Sequence, residues 1–407
     1  MNSLYTHSIK IHLIEIFLLG WFLVVLMLEF GLTVTLGSHP AGFYNPYIAA
    51  FISAFNILIL ISGIFPTEQA HQLFWRIITW MLFFILFFIA IIGLASYFNS
   101  IKIFRDILHI TNILVLVFIF QFFNINFSSQ FMHSIKLFIW ISLVLSLGLC
   151  IYYLIKGVDL SSPSRPFFFN SSVTNSALML TLFSLIYLNL NKGESILAHI
   201  LFFIPIFLTQ SRAAFILYIF ITLTYTKTSV AKYFLIVSGT IIFFYFSMNG
   251  LNQIRVLQLI DTVDKASIGS TLTRINYYLL ILKELAASNW IGGLGPGYTE
   301  NILGVIPHFD LLRFWLDYSI IFIFLFGIFF LYFLRVIPAN IDSFFKKTFY
   351  WMTNGVLLLA IFIYNGLQDP SLYFFYCLYL AIINQLGDKS SIKKHFNNQL
   401  GLQNTSY

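Results

Sequence analysis

Long apolar runs separated by short polar breaks set the pattern of this chain. They fall at 11–36, 44–65, 74–97, 107–123, 134–155, 173–190, 195–209, 213–227, 231–248, 313–335, 348–367 and 371–387, twelve in all. A helix needs about 20 apolar residues to cross the hydrocarbon core of a bilayer. Most of these runs approach that length, and none alternates as a membrane barrel strand would. The pattern predicts an all-α polytopic membrane protein of about twelve transmembrane helices. The first run is too long for a signal-peptide core and precedes no small-residue cleavage pattern, so a retained helix is expected there. The seventh and eighth runs are short and are expected to form a tight hairpin. No internal repeat is visible, and 1–407 reads as a single integral membrane domain.

Composition agrees with this. The chain is 59% hydrophobic and 9% charged, with a mean hydropathy of +0.88, whereas a soluble domain carries about 25% charged residues. A net charge of +7 would suggest nucleic acid in a soluble protein. Here it reflects loop lysines and arginines, and no nucleic-acid partner is expected. Lys389, Lys393 and Lys394 in the tail over 388–407, and Arg335, Lys346 and Lys347 before the eleventh run, lie on one side in a twelve-span chain. Both termini are therefore expected in the cytoplasm, although NSIKIFRD at 99–106 argues mildly the other way. Cys150 and Cys377 sit inside apolar runs at no metal or redox spacing and read as packing residues.

That topology sets one long polar segment, about 249–310, on the outer face. It holds Arg255, Asp261, Asp264, Lys265, Arg274, Lys283, Glu284, Glu300 and Asp310, the densest charge in the chain. Within it, 270–286 carries apolar residues at helical spacing behind Ser270 or Thr271 as a plausible N-cap, which predicts an amphipathic helix. NWIGGLGPGYTE then breaks all regularity with four glycines and a proline, a composition suited to sharp turns or close approach to a ligand.

Several residues could carry chemistry. Arg212 follows Thr209, Gln210 and Ser211 at an expected helix N-terminus, where hydroxyls, backbone N–H groups and a planar guanidinium suit phosphate or pyrophosphate. A snorkelling interfacial arginine accounts for the same pattern. Arg274 lies on the amphipathic helix, where a solvated face is the simpler reading. Arg165, in an outer loop at 156–172 that otherwise suggests only flexibility, is a further candidate for phosphate contact.

The stretch PHFDLLRFWLDYS places His308 near the outer mouth of the tenth run, with Pro307 suited to a first helical turn. An imidazole titrating near neutrality is the usual base for activating a hydroxyl. Asp310 can orient it, and pairs are expected between Asp310 and Arg313 and between Arg313 and Asp317. Ordinary anchoring of a helix start at the headgroups explains these residues equally. Asp369 reads as an Asp-Pro turn, and Glu15 and Glu29 as either an ion path or interfacial acids. Neither an aspartate-rich metal motif nor a nucleotide-binding glycine loop is present in the sequence, so no metal or cofactor is expected.

Taken in order, SR at 211–212, Arg274, the glycine-rich turn at 293–297 and PHFDLLRFWLDYSIIF at 307–322 resemble the O-antigen polymerase and O-antigen ligase superfamily of bacterial inner-membrane glycosyltransferases. The resemblance covers roughly 205–335, and more loosely 170–180 and QDP at 368–370. Phe309 stands where that family commonly has Asn, and Ser319 where it commonly has Gly. The resemblance implies a donor oligosaccharide on undecaprenyl pyrophosphate, used on the periplasmic face without metal. It implies that Arg212 and Arg274, with Arg313 and Arg165 as further candidates, hold the pyrophosphate. His308 would activate the acceptor hydroxyl, with Asp310 or Arg313 fixing its environment. A chain-length regulator and a flippase are the partners it implies.

Within the superfamily the join of PHFD to its helix and the Phe- and Ile-rich chain lean towards a polymerase, which extends one lipid-linked repeat with another. The alternative is a ligase that transfers finished polymer to the lipid A core. A transporter or lipid-linked sugar flippase is the reading from another class. The missing repeat, and charge gathered in one outer loop rather than at mid-membrane, disfavour it.

Overall fold

The computed structural model describes residues 127–155, 173–191, 196–209, 211–225, 265–304, 309–334, 344–363 and 372–383, together with Glu15, Ile16, Leu18, Leu19, Gly20, Phe22 and Gln385. These residues are helical apart from turns, with no strand among them. The expected runs at 44–65, 74–97, 107–123 and 231–248, the loop at 156–172 and the tail at 388–407 lie outside the described residues.

Helix α1 (Ser129–Ile155) starts five residues before its apolar run. Ser128 Oγ accepts the N–H of Phe131 at 3.0 Å, as an N-cap does. The Ser128 N–H and hydroxyl donate in turn to Glu15, at 2.6 and 2.8 Å. Glu15 is thus a buried brace on the start of α1, a role its sequence context does not suggest. Phe127, next in line, exchanges two hydrogen bonds of 3.2 Å with the side-chain amide of Gln385.

Helices α2 (Val173–Leu190), α3 (Ile196–Leu208) and α4 (Arg212–Tyr225) follow their apolar runs closely. α3 and α4 form the expected tight hairpin through 209–211, and the Tyr218 hydroxyl ties them by donating to the His199 carbonyl. Further along come α5 (Lys265–Ala287), α6 (Tyr298–Leu303), α7 (Asp310–Tyr318), α8 (Ile320–Leu334), α9 (Phe344–Ile363) and α10 (Leu372–Ile383). α4 packs along α9, and α2 packs on α1, α3, α4 and α9.

Every residue of α10 is buried, as is α2 from Ser176 to Asn189, so these two helices form the centre of the core. They meet edge to face at Phe183 and Phe375, with ring centroids 4.8 Å apart. Phe22 and Phe138 stack on Phe375 at 5.5 and 5.4 Å, drawing the first helical segment and α1 into the same aromatic cluster. The outward side of α1 is apolar as well: Leu137, Ile141, Val144, Leu145 and Ile151 are all exposed. Over Ser129–Tyr152, α1 is long and apolar enough to cross a membrane.

Three expectations change. α5 runs from Lys265 through Ser270 and Thr271, so neither caps it; propensity is a weak bias, and the helix continues through these poor helix formers. α7 starts at Asp310 with Phe309 as its N-cap residue, so Pro307 does not open it. The tenth run is also divided: Ser319, at φ 122° and ψ 163°, separates α7 from α8. That backbone region is one glycine adopts readily and other residues occupy at a cost of about 1–3 kcal/mol. The Ser319 hydroxyl has no hydrogen-bond partner among the described residues, so removing it loses little. Ser319→Gly is expected to raise stability by about 1 kcal/mol, after the added freedom of the unfolded chain is subtracted. A thermal-unfolding midpoint equal to or below that of the parent protein would refute this.

Candidate functional site

The residues singled out around 290–320 meet in a small subassembly of α5, the glycine-rich turn, α6 and α7. Its own apolar core joins Ile281 and Leu285 of α5 to Leu316 of α7, with Leu294, Tyr298 and Trp315 packed around them. The other side of α7, through Phe314 and Tyr318, belongs to the main core. α7 is therefore wedged between two apolar clusters, which is why its polar residues are buried.

Both polar side chains at the middle of α7 reach across to α6. Asp317 Oδ1 accepts the Thr299 N–H at 2.8 Å and the Thr299 hydroxyl at 2.6 Å, and its Oδ2 accepts the Gly297 N–H at 3.3 Å. A carboxylate on the first N–H groups of a helix satisfies donors that have no partner inside it and complements the helix dipole. Arg313, fully buried, places Nη1 3.7 Å from Glu300 Oε1 and lies over the Phe314 ring at 4.2 Å. Beside the pairs expected along α7, the structure ties Arg313 and Asp317 to α6.

The glycine-rich turn serves the other end of α7. The N–H groups of Gly293 and Leu294 donate to the Leu316 carbonyl at 2.9 and 3.0 Å, and that of Gly295 to the Asp317 carbonyl at 3.0 Å. These are carbonyls that the end of a helix leaves unpaired. Trp315 Nε1 donates to the Trp290 carbonyl at 2.7 Å, and the Ile320 N–H to the Ile291 carbonyl at 2.9 Å. The pull of these bonds on Ser319 and Ile320 accounts for the break in the apolar run. At Gly292, φ is +73° and a Cβ would stand 2.1 Å from the Trp315 carbonyl oxygen. Here the glycine density answers a close approach of backbone to backbone.

The start of α7 is met by α5. Phe309 lies between His308 and Asp310 in sequence, and its ring is 5.5 Å from that of Tyr278. Position 274 is one helical turn before Tyr278 on the same face of α5. The fold therefore brings α5 near Arg274 into the neighbourhood of Phe309 at the start of α7, which no spacing in the sequence indicates. Phe309 makes no side-chain cap on α7, so its ring contact replaces the hydrogen bond an Asn would supply at an N-cap.

Arg212 is the first residue of α4, as expected. Ser211 precedes it, its carbonyl accepting the Phe215 N–H at 3.0 Å and its N–H lying 3.4 Å from Thr209 Oγ1. The Ser211 hydroxyl is buried and has no hydrogen-bond partner among the described residues. Arg165, His308, Asp369 and Glu29 lie outside the described residues, and for Arg212, Arg274 and Asp310 the backbone alone is described. The residue that sequence reasoning missed is Glu300. It appears in the sequence only as one of many loop charges, and its partner Arg313 has nearer acids at 310 and 317.

No protein-family model, no curated protein and no solved structure matches this chain.

Proposed function

We propose that this protein is an O-antigen polymerase of the bacterial inner membrane, with twelve spans, cytoplasmic termini and its active face in the periplasm. It would join oligosaccharide repeats carried on undecaprenyl pyrophosphate. The observation that supports the reading is the contact of Tyr278 with Phe309: Arg274 lies one turn back along α5 from Tyr278, and His308 and Asp310 flank Phe309 in sequence. A phosphate-binding cation and a base must lie near one another if a sugar is to move between them.

In this reading the acceptor hydroxyl gives its proton to His308 and attacks the anomeric carbon of the donor sugar. The bond from that carbon to the pyrophosphate oxygen breaks, and Arg274 and Arg212 stabilise the charge developing on the leaving group. Arg165 is a further phosphate contact, and Asp310 orients the imidazole. Arg313, buried against Glu300, shapes the corner from beneath.

The helix ends support the topology. Glu15 lies near the start of the first run, Phe127 and Ser128 precede the fifth, and Gln385 closes the twelfth; hydrogen bonds join all of them. Lys136 near the start of the fifth run likewise donates to Asn191 at the end of the sixth, at 2.6 Å. In the twelve-span arrangement all these ends share the cytoplasmic face. An odd number of crossings between any two would set them about 30 Å apart across the hydrocarbon core. The exposed apolar side of α1 supports contact with lipid.

The test is a lipopolysaccharide gel of the native bacterium with this gene deleted. Loss of the ladder with core bearing a single repeat is expected. Bare core, with polymer accumulating on its lipid carrier, would make the protein a ligase. An unchanged ladder would overturn the proposal. For Arg212→Lys, polymer yield is expected to fall roughly tenfold, because an ammonium cannot make the bidentate phosphate contact of a guanidinium. Full yield would reduce Arg212 to an interfacial anchor.

A further inference from the structure

We propose that α5 and the elbow behind it dock on a lipid surface, with one flank of the helix and the side chains of Trp290 and Ile291 set at the headgroup level of the outer leaflet. Successive positions on a helix turn through about 100°, which divides α5 into sectors. Ile281 and Leu285 share the sector turned to α7, and Tyr278 beside them meets Phe309. The next sector on one side holds Ile275, Leu279, Leu282 and Ala286, all but Leu282 exposed, Leu279 to 58%. Beyond it come Lys283 and Asn276, both exposed, with Leu280 among them, and then Glu284, whose carboxylate accepts the Tyr298 hydroxyl at 3.2 Å. The apolar sector is therefore wider than contact with α7 uses, and its spare flank borders a polar one. A helix built this way lies along a membrane surface.

The elbow supplies an independent observation. Trp290 has φ +63°, a left-handed conformation that a bulky side chain adopts only at a cost. It is held there by its N–H, which donates to the Leu285 carbonyl at 2.7 Å, and by its carbonyl, which accepts Trp315 Nε1 at 2.7 Å. The strain leaves the indole about half exposed, at 49%, and Ile291 beside it at 50%. Tryptophan is the side chain enriched at the headgroup level of membranes. The Ile291 carbonyl in turn accepts the N–H of Ile320, where α8 begins. There Ile320, Ile321, Phe324 and Ile328 form one exposed apolar stripe, so the apolar surface continues from the elbow onto a helix expected to face lipid. That continuity, and the exposed cation of Lys283 beside the apolar flank, fit lipid acyl chains and phosphates rather than a protein partner. The inference rests on the membrane reading above and not on the transferase chemistry.

The test places the full chain in vesicles of phosphatidylethanolamine and phosphatidylglycerol, with a nitroxide on an introduced cysteine. Leu279→Cys and Ile291→Cys report the proposed surface, Lys283→Cys the polar flank and Phe324→Cys the stripe on α8. The parent protein, whose Cys150 and Cys377 are buried, gives the background. Collisions with oxygen, which concentrates in lipid, are compared with those of a water-soluble nickel chelate. Positions 279 and 291 are expected about 5–10 Å into the boundary of headgroups and acyl chains, with 324 deeper and 283 in water. Both 279 and 291 are required: nickel contact at either, or shielding from both reagents, overturns the proposal. Equal depth at 283 and 279 overturns it too, since α5 would then have no polar flank. In each of these cases oxygen contact at 324 leaves the membrane reading standing, whereas nickel contact there ends both.

Discussion

His308→Ala is expected, on the proposed function, to abolish polymer formation while the protein accumulates at its normal level. A positioned general base contributes on the order of 10²- to 10⁴-fold to a proton transfer, and a loss of that size reads on a gel as a missing ladder. The substitution falls outside α7. It precedes the N-cap of α7, so the helix keeps the hydrogen bonds that hold it: those from the glycine-rich turn to Leu316 and Asp317, and those from α6 to Asp317. The measurement is polymer length and yield set against immunodetected protein in the same cells. A normal ladder from His308→Ala removes the residue as the base. A missing ladder with missing protein assigns it to folding, and the two results cannot be confused.

Gly292→Ala is expected to be strongly destabilising. The new Cβ would lie 2.1 Å from the Trp315 carbonyl oxygen and 3.0 Å from its carbon. Both belong to backbone, so no flexible side chain can swing aside. The left-handed conformation at φ +73° adds its own penalty of roughly 1–2 kcal/mol, and forced overpacking typically adds 1–3 kcal/mol more. Relief requires the turn to leave α7, which breaks the bonds from Gly293, Leu294 and Gly295 and frees the Leu316–Leu285 core. Cleavage near residues 288–300 in limited proteolysis, or a steep fall in abundance, is the expected reading. Parental stability would show that the turn has slack that its geometry denies.

Much of the helical order is legible in the sequence because burial leaves a one-dimensional trace. α2, α3, α4 and α10 lie within continuous, mainly apolar runs, so the runs begin and end close to where the helices do. α7 is different. Its apolar residues serve two separate cores, and the run continues through Ser319 without a glycine or proline to mark the break. What interrupts it is a set of hydrogen bonds from residues 291–295, and no local pattern records them. The glycines there suit a sharp turn or a close approach to a ligand, and what they approach in the structure is the backbone of α7.

The acids divide the same way. Helical spacing offers Arg313 the neighbours at 310 and 317; it does not show that Glu300 approaches from another helix or that Asp317 bonds Thr299. Glu15 has its partner at Ser128, more than a hundred residues away, and in isolation it resembles an interfacial charge. Side-chain pairs within one turn can be read from a sequence. Pairs across a fold are fixed by packing, and these three contacts are of that kind.

The helix at the very centre, α10, is also the last described helix to leave the ribosome. Residues that surround it, from Phe22 and Phe138 to Phe183, are made hundreds of residues earlier. At typical synthesis rates of about 5–20 residues per second, the interval between Phe127 and its partner Gln385 lasts on the order of tens of seconds. For that time the bundle has a rim and no axle. Its early helices must be kept apart from wrong partners, and from proteases, by something other than the native core. A chain stopped before Leu372 would never leave that state.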